Sequence, residues 1–341
     1  MKTVPLYRMD RGFTLVEMLV VIAIIALLLA ALLPAFSSVK TSAKKAQTTA
    51  YFTALDTGIS SYRAEQPLGG SLPPSASDAP VDNLQKIAIP SADSASSPMD
   101  VAGAHLLAMA MIGADGLGTP GFKDLSSPAD GFWWDNTNKN RDTGAYYVDP
   151  TTGKEKHPRY GPYVDEKMRD RAKSLKDLAD KGGLLNPDDA GLAVRGESPL
   201  LLFVDSWDHP ILYYKSSPAS NRMIAKLPDN TPGIYRQEDN GLITGSRNGK
   251  GTWKGLDFGA GKENDDYHLI ANAESPLPTV PVKEILENPE WENTFAKFIL
   301  DPKSKARPTP VQKDSYLLIS AGPDSRYGTA DDITNWTRET N

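Results

Sequence analysis

Apolar residues crowd into one stretch of the chain and are spaced out elsewhere. From Met18 to Phe36 no side chain is charged or carries a hydrogen-bonding polar group. With Phe13, Leu15 and Val16 added, the stretch reaches the ~20 residues a helix needs to cross a bilayer. Beyond it the pattern becomes a helical period. Val39, Ala43, Ala46, Ala50, Leu55 and Ile59 recur at helical spacing, with Lys and Thr between them. Gly58 weakens the end of this second half, and Pro67-Leu68-Gly69-Gly70 terminates it. The pattern predicts one helix from Phe13 to about Arg63, ~75 Å long at ~1.5 Å per residue.

After that helix the signals are shorter. Residues 67–98 are rich in Pro, Ser, Ala and Asp and read as a linker or irregular loop. Residues 100–113 read as a buried helix ending at Gly113. Residues 165–181 read as a charged, exposed helix capped by Asp165 and ended by Gly182-Gly183. Strands are expected at Leu200–Val204, Ile211–Tyr214, Tyr267–Ala271 and Tyr316–Ser320, with a helix around Pro289–Leu300. Turn signals crowd residues 216–265, which predicts a loop-rich hairpin region. The sum is an α+β fold. A long N-terminal helix, transmembrane over 13–36, packs on a small antiparallel sheet with inserted helices and loops. There is no long internal repeat.

Composition narrows the function classes. The chain has 341 residues, no cysteine and a formal net charge of −6. Disulfides, thiolate metal sites and cysteine nucleophiles are excluded. The acidic balance argues against nucleic acid as a partner and fits a domain that binds cations. No serine-nucleophile elbow, phosphate loop or dinucleotide fingerprint is present, so an enzyme is not expected.

Lys2, Arg8 and Arg11 precede the apolar run, with Asp10 as the one acid. The run is too long for an ordinary secretory signal, whose apolar region is ~7–15 residues. Lys40, Lys44 and Lys45 follow it, so the charge bias that orients membrane helices is nearly balanced. Glu17 sits at the edge of the run. A carboxylate there either rests at the headgroup boundary or requires a cationic partner, and residues 18–36 supply none.

The residues Arg11-Gly12-Phe13-Thr14-Leu15-Val16-Glu17 resemble the processing site of type IV pilins and type II secretion pseudopilins. The resemblance implies that a prepilin peptidase cuts after Gly12 on the cytoplasmic side and N-methylates Phe13. It also implies that Glu17 pairs with the terminal amine of a neighbouring subunit. Pro34 falls where many pilin helices carry a proline. The chain then divides into a leader, 1–12, a long helix, 13–63, and a globular domain, 64–341. It would be a single-pass inner-membrane protein with its domain in the periplasm, later part of a filament in the periplasm or at the cell surface.

Three further segments resemble the major pseudopilin of type II secretion. They are Tyr160-Gly161-Pro162-Tyr163-Val164, Asp205-Ser206-Trp207-Asp208-His209-Pro210 running into Ile211–Tyr214, and Ser320-Ala321-Gly322-Pro323-Asp324 with Gly328-Thr329-Ala330-Asp331-Asp332-Ile333. Asp324, Asp331 and Asp332 crowd one short loop and must repel one another. A hard cation taking ~6–8 oxygens resolves that repulsion, and a solvated acidic turn is the alternative the residues leave open. The resemblance implies Ca²⁺. The family is typically much shorter, and residues 67–158 and the long span before the Asp loop look inserted.

Other candidates carry less. Asp135–Asp142 alternates oxygen side chains but lacks the glycine and the bidentate Glu of a Ca²⁺ loop. Asp115-Gly116-Leu117-Gly118 reads as a helix-ending loop, Trp133-Trp134 as a packed pair, and His105 as a residue without a site role. The expected function is a structural subunit of a pilin-like filament, a type II secretion pseudopilus first. The alternatives are a minor pilin of a type IV pilus, or a membrane-anchored ligand-binding protein that uses the leader for targeting. Expected partners are the prepilin peptidase, other pilin-like subunits and the inner membrane.

Overall fold

The computed structural model describes residues 14–65, 70–75, 86–89, 97–113, 116, 118–119, 121–122, 147–148, 155–157, 160–174, 177–178, 200–225, 232–244, 270, 276–291, 294–304 and 307–338. Two units divide the chain, Met1–Ala46 and Gln47–Asn341. Helix α1 spans Leu15–Ala64, 50 residues. In the first unit it carries exposed apolar side chains from Leu15 to Leu29. Residues 31–35 belong to the helix, and their side chains are outside the description. Among the described residues, no helix is long and apolar enough to cross a membrane.

In the second unit α1 buries Thr48, Tyr51, Phe52, Leu55, Gly58, Ile59 and Tyr62. These positions repeat at three and four residues and form one face. The stripe expected from the alanines is rotated away from this face, for Ala50 is exposed. Aromatic rings remove far more apolar surface from water than an alanine methyl, so they choose the docking face. Gly58 is a close-approach point. A Cβ there would lie 3.0 Å from the Tyr163 carbonyl oxygen, 3.0 Å from Val164 Cγ1 and 3.1 Å from Met111 Sδ.

The expected linker over 67–98 is corrected in two places. Strands β1 (Lys86–Ile89) and β2 (Ser97–Asp100) pair antiparallel. Residues 70–75 are tied to the domain. The Pro73 carbonyl accepts from the Tyr213 hydroxyl at 2.7 Å, and Ser75 accepts from the Lys215 amide at 2.9 Å while donating to Asp239. Helix α2 (Gly103–Ile112) is buried along its whole length, as its sequence, apolar but for His105, predicts, and Gly113 follows it.

Strands β3 (Tyr147–Val148) and β4 (Glu155–His157) form a second antiparallel pair. The expected helix over 165–181 is a correction. Asp165 does cap, accepting from the Met168 amide at 2.8 Å, but helix α3 covers only Glu166–Arg169. The chain then turns into β5 (Ala172–Ser174), which pairs with β6 (Leu201–Phe203). Sheet hydrogen bonds to a distant strand override the helix propensity of Lys173 and its neighbours. Gly182-Gly183 lies outside the described residues.

Strand β7 (Leu212–Lys215) follows one turn later. In the region expected as a hairpin, Ile224 and Tyr235 instead form a parallel bridge. Asn240-Gly241 is not a hairpin turn either. It joins a 3-10 turn, Gln237–Asn240, to helix α4, Gly241–Thr244. Helix α5 (Val282–Glu287) comes next. The helix expected around 289–300 is broken into a 3-10 turn, Pro289–Trp291, and helix α6, Phe295–Ile299, capped by Thr294. Of the expected strand Tyr267–Ala271 only Ile270 is described.

Strands β8 (Tyr316–Ser320) and β9 (Ile333–Thr334) complete a three-stranded antiparallel sheet of order β7-β8-β9. Its register pairs Leu212 with Ile319, Lys215 with Tyr316, and Ser320 with Ile333. All five residues of β8 are buried. Because strand side chains alternate, the sheet feeds two cores. Tyr213, Tyr316 and Leu318 pack with Leu55 and Ile59 of α1 and Leu107 and Met111 of α2. Leu212, Tyr214, Leu317 and Ile319 pack with Tyr235 and with Phe295 and Ile299 of α6. The fold is α+β with small antiparallel sheets, as the sequence predicts.

Candidate functional site

The loop joining β8 to β9 carries Asp324, Asp331 and Asp332. After Ser320 the chain makes a 3-10 turn, Gly322–Asp324, and Ser325 takes a left-handed conformation with φ 66°. Gly322 has φ +65°, and a Cβ there would lie 2.5 Å from the Asp331 carbonyl oxygen. The glycine lets the two ends of the loop approach. Each of the three aspartates offers a carboxylate oxygen, and these oxygens lie within 4.8 Å of one another.

Local bonds aim each carboxylate. Asp324 accepts from the Arg326 amide at 2.8 Å, and Asp331 accepts from the Asp324 amide at 3.2 Å. Asp332 accepts from the Gly328 amide at 2.7 Å. The Thr329 hydroxyl lies 2.5 Å from Asp331 Oδ1 and 3.1 Å from Asp332 Oδ1, a bridge between the two. Arg338 donates to the Thr329 carbonyl at 2.5 Å, with its guanidinium 4.4 Å from the centre of the Phe298 ring. Burial pushes the Asp332 carboxyl up to about 7, against the amides of Gly328 and Thr329 and the charge of Arg338, which favour the ionised form. Burial also raises Asp324, with the neighbouring Asp331 adding to the rise. The donor set is all hard oxygen with an excess of negative charge. It fits a hard divalent cation such as Ca²⁺ and is unsuited to soft metals.

The turn between β6 and β7 lies against this loop. Asp205 is fully buried, and its Oδ1 accepts from the amides of Trp207 at 2.7 Å and His209 at 2.9 Å. Its Oδ2 accepts from the Ser320 hydroxyl at 2.6 Å. His209 Nε2 lies 2.9 Å from the Ser325 hydroxyl, and its Nδ1 lies 3.7 Å from Asp205 Oδ2. Serine, histidine and aspartate thus stand in the order of a hydrolytic triad. They do not form one. Asp205 is committed to three other donors, and 3.7 Å is too long for the bond that orients a catalytic imidazole. The arrangement is a brace. The sequence reading marked this segment as a turn before a strand and did not foresee the brace, whose partners are more than a hundred positions apart.

At the other end of the chain, Gly12 and Phe13 lie outside the described residues. Glu17 is described, and its carboxylate accepts from the Thr14 amide and the Thr14 hydroxyl, both at 2.8 Å. The Glu17 amide donates back to the Thr14 hydroxyl at 3.2 Å. This is a capping box, which satisfies backbone donors at the start of α1. The spacing Thr14-x-x-Glu17 is its sequence signature, and the reading of the apolar run passed over it.

Among the remaining candidates, His105 is fully buried and its Nδ1 accepts from the Ala102 amide at 3.0 Å. Burial pushes its imidazole down to about 4, so it stays neutral in the helix start. The Gly118 amide donates to the Ile112 carbonyl at 2.8 Å at the end of α2, and Asp115 and Leu117 lie outside the described residues. The segments Asp135–Asp142 and Trp133-Trp134 lie outside the described residues.

The prokaryotic N-terminal methylation motif matches residues 7–33 of this chain. The match covers Gly12, Phe13, Thr14 and Glu17, and it supports a leader of the kind a prepilin peptidase processes. No curated protein and no solved structure matches the chain.

Proposed function

We propose that this chain is the precursor of a structural subunit of a pilin-like filament, and that the filament is a type II secretion pseudopilus. The observation that carries the reading is the methylation motif overlapping the start of a helix of 50 residues. The exposed apolar side chains from Leu15 to Leu29 support it, because such a surface requires lipid or other helices around it. The uninterrupted apolar run Met18–Phe36 is the span proposed to hold the precursor in the inner membrane. Cleavage after Gly12 frees the amine of Phe13, and Glu17 then serves as its counter-charge on an adjoining subunit. The peptidase and other pilin-like subunits are the proposed partners.

In the C-terminal loop, Asp324, Asp331 and Asp332 would hold Ca²⁺, which supplies the charge that three crowded carboxylates lack. The type II assignment rests on this loop together with the Asp205–Pro210 turn and the Gly161-Pro162-Tyr163 segment.

Mass spectrometry of the protein made alongside a prepilin peptidase tests the reading. The chain should begin at methylated Phe13, and Gly12→Val should leave the precursor uncut in the membrane fraction. A mature protein that begins at Met1, or at a site beyond Ala43, would overturn it. Electron microscopy of sheared surface material with antibody to the globular domain then distinguishes a pseudopilus from a surface pilus.

A further inference from the structure

The charge along helix α1 is one-sided beyond its apolar run. No acid occurs from Met18 to Leu55, while Lys40, Lys44 and Lys45 follow one another within two turns. The protein as a whole is acidic, with a formal net charge of −6, so this basic segment stands against the general balance. Phe36 and Val39 are exposed, Lys40 beside them is exposed, and Lys44 and Lys45 are half-buried. The helix is continuous through all of these positions.

We propose that Lys40, Lys44 and Lys45 form a basic collar that binds the phosphate groups of anionic phospholipids, in the leaflet on the side of the globular domain. The inference rests on the membrane span proposed above. The lengths agree with it. Met18 to Phe36 is ~28 Å of helix, close to the ~30 Å of a bilayer's hydrocarbon core. The headgroup layer adds ~5–7 Å on each side. Lys40 lies ~6 Å beyond Phe36, within that layer, and Lys44 and Lys45 lie ~12–14 Å beyond it. Side chains on a helix lean toward its N-terminus, here toward the apolar run. A lysine stem lies along apolar surface and carries its ammonium to the interface, so all three reach headgroup level. An ammonium has three N–H donors, and a bond to the protein leaves others for a phosphate. The flank on the exported side of a membrane helix is ordinarily poor in lysine. A collar of three there fixes the depth of the helix, and leaving the bilayer for a filament means breaking its lipid contacts.

The test uses full-length protein reconstituted in phosphatidylcholine vesicles and made without a prepilin peptidase. Every sample carries Lys2→Gln, Arg8→Gln and Arg11→Gln, so that basic residues ahead of the helix do not contribute. Flotation and resistance to alkaline carbonate first establish that the chain spans the bilayer. Failure there would overturn the membrane reading and the collar with it. Spin-labelled phosphatidylglycerol is then compared with spin-labelled phosphatidylcholine for association with the protein. The anionic lipid should associate about fivefold more strongly at low salt, the equivalent of one lysine at an anionic surface. High salt should shrink that excess. Lys40→Gln with Lys44→Gln and Lys45→Gln should abolish it, and arginine at the same three positions should keep it. Equal association of the two lipids with the lysine protein would overturn the collar. So would an excess that survives the glutamine variant. If that variant keeps the excess but loses cross-linking between copies in phosphatidylcholine vesicles, the lysines serve a second copy of the chain and the lipid assignment is wrong.

Discussion

A carboxylate buried beside two others can shed the cost of its charge by taking up a proton or by binding a cation. Asp332 faces that choice near neutral pH, because burial pushes it up to about 7 from an ordinary 3.8. A raised value means that the fold favours the protonated form. In chelator, the stability this carboxyl contributes is full below pH 3.8 and lost as pH rises through about 7. Ca²⁺ competes with the same proton, so its apparent affinity should fall as pH drops below about 7. Thermal melts against pH test this. Asp332→Asn should flatten the chelator curve between these limits, and identical curves for wild type and variant would remove Asp332 as the cause. Glu17 has an observed capping role and a proposed counter-charge role, which chemistry can separate. Gln can keep the capping box with Thr14 but carries no charge. Glu17→Gln should therefore retain the helix start and lose filament incorporation, whereas Glu17→Ala should lose both, the cap being worth ~1 kcal/mol. Normal incorporation of Glu17→Gln, read in sheared fractions, would leave Glu17 as a cap alone.

At the scale of elements, the docking of α1 depends on close approach as much as on apolar area. Gly58 reads in the sequence as a weak point of the helix, since glycine costs ~1 kcal/mol against alanine in a helix interior. In the fold it is the place where α1 meets the Tyr163 carbonyl and Met111. Gly58→Val should therefore destabilise the domain by ~1–3 kcal/mol despite removing a glycine, through overpacking. A urea titration that showed Gly58→Val at least as stable as wild type would contradict this packing. The elements that read correctly from the sequence are those whose pattern is local and strong. Helix α2 is apolar but for His105, begins at Gly103 and is followed by Gly113, and β8 is a short, mostly apolar run. The elements that read wrongly were settled by pairing with a second segment of the chain, which their own pattern does not record. Residues 172–174 have a helical pattern but pair with Leu201–Phe203. Lys86–Ile89 sits in a loop-like composition but pairs with Ser97–Asp100.

For the whole molecule, the C-terminal loop closes the sheet by delivering β9 to the edge of β8. Binding to the folded state alone adds RT ln(1 + [L]/Kd), ~2.7 kcal/mol at a hundredfold excess over Kd. Ca²⁺ should therefore raise the melting temperature of the protein. Mg²⁺ should raise it less, because it keeps its waters and demands octahedral geometry. Asp331→Ala with Asp332→Ala should abolish the response and leave the rest of the fold in place. Indifference of the wild-type protein to both Ca²⁺ and chelator, with no metal by elemental analysis, would reduce the loop to a solvated acidic turn.

The sequence by itself determined what is written in contiguous residues. The methylation motif, the fifty-residue helix that overlaps it and the crowding of Asp324, Asp331 and Asp332 are all of this kind, since each depends on residues close by in the chain. It also held the Thr14-x-x-Glu17 box in plain spelling. Only the tertiary structure decided which face of α1 is buried, that Gly58 is a contact, and that Asp205 braces Ser320 while His209 meets Ser325. Thr48 and Ser206, or Asp205 and Ser320, are more than a hundred residues apart, and no local period records such pairs. They exist because a sheet buried on both faces favours partners for the polar groups near it, wherever in the chain those partners lie.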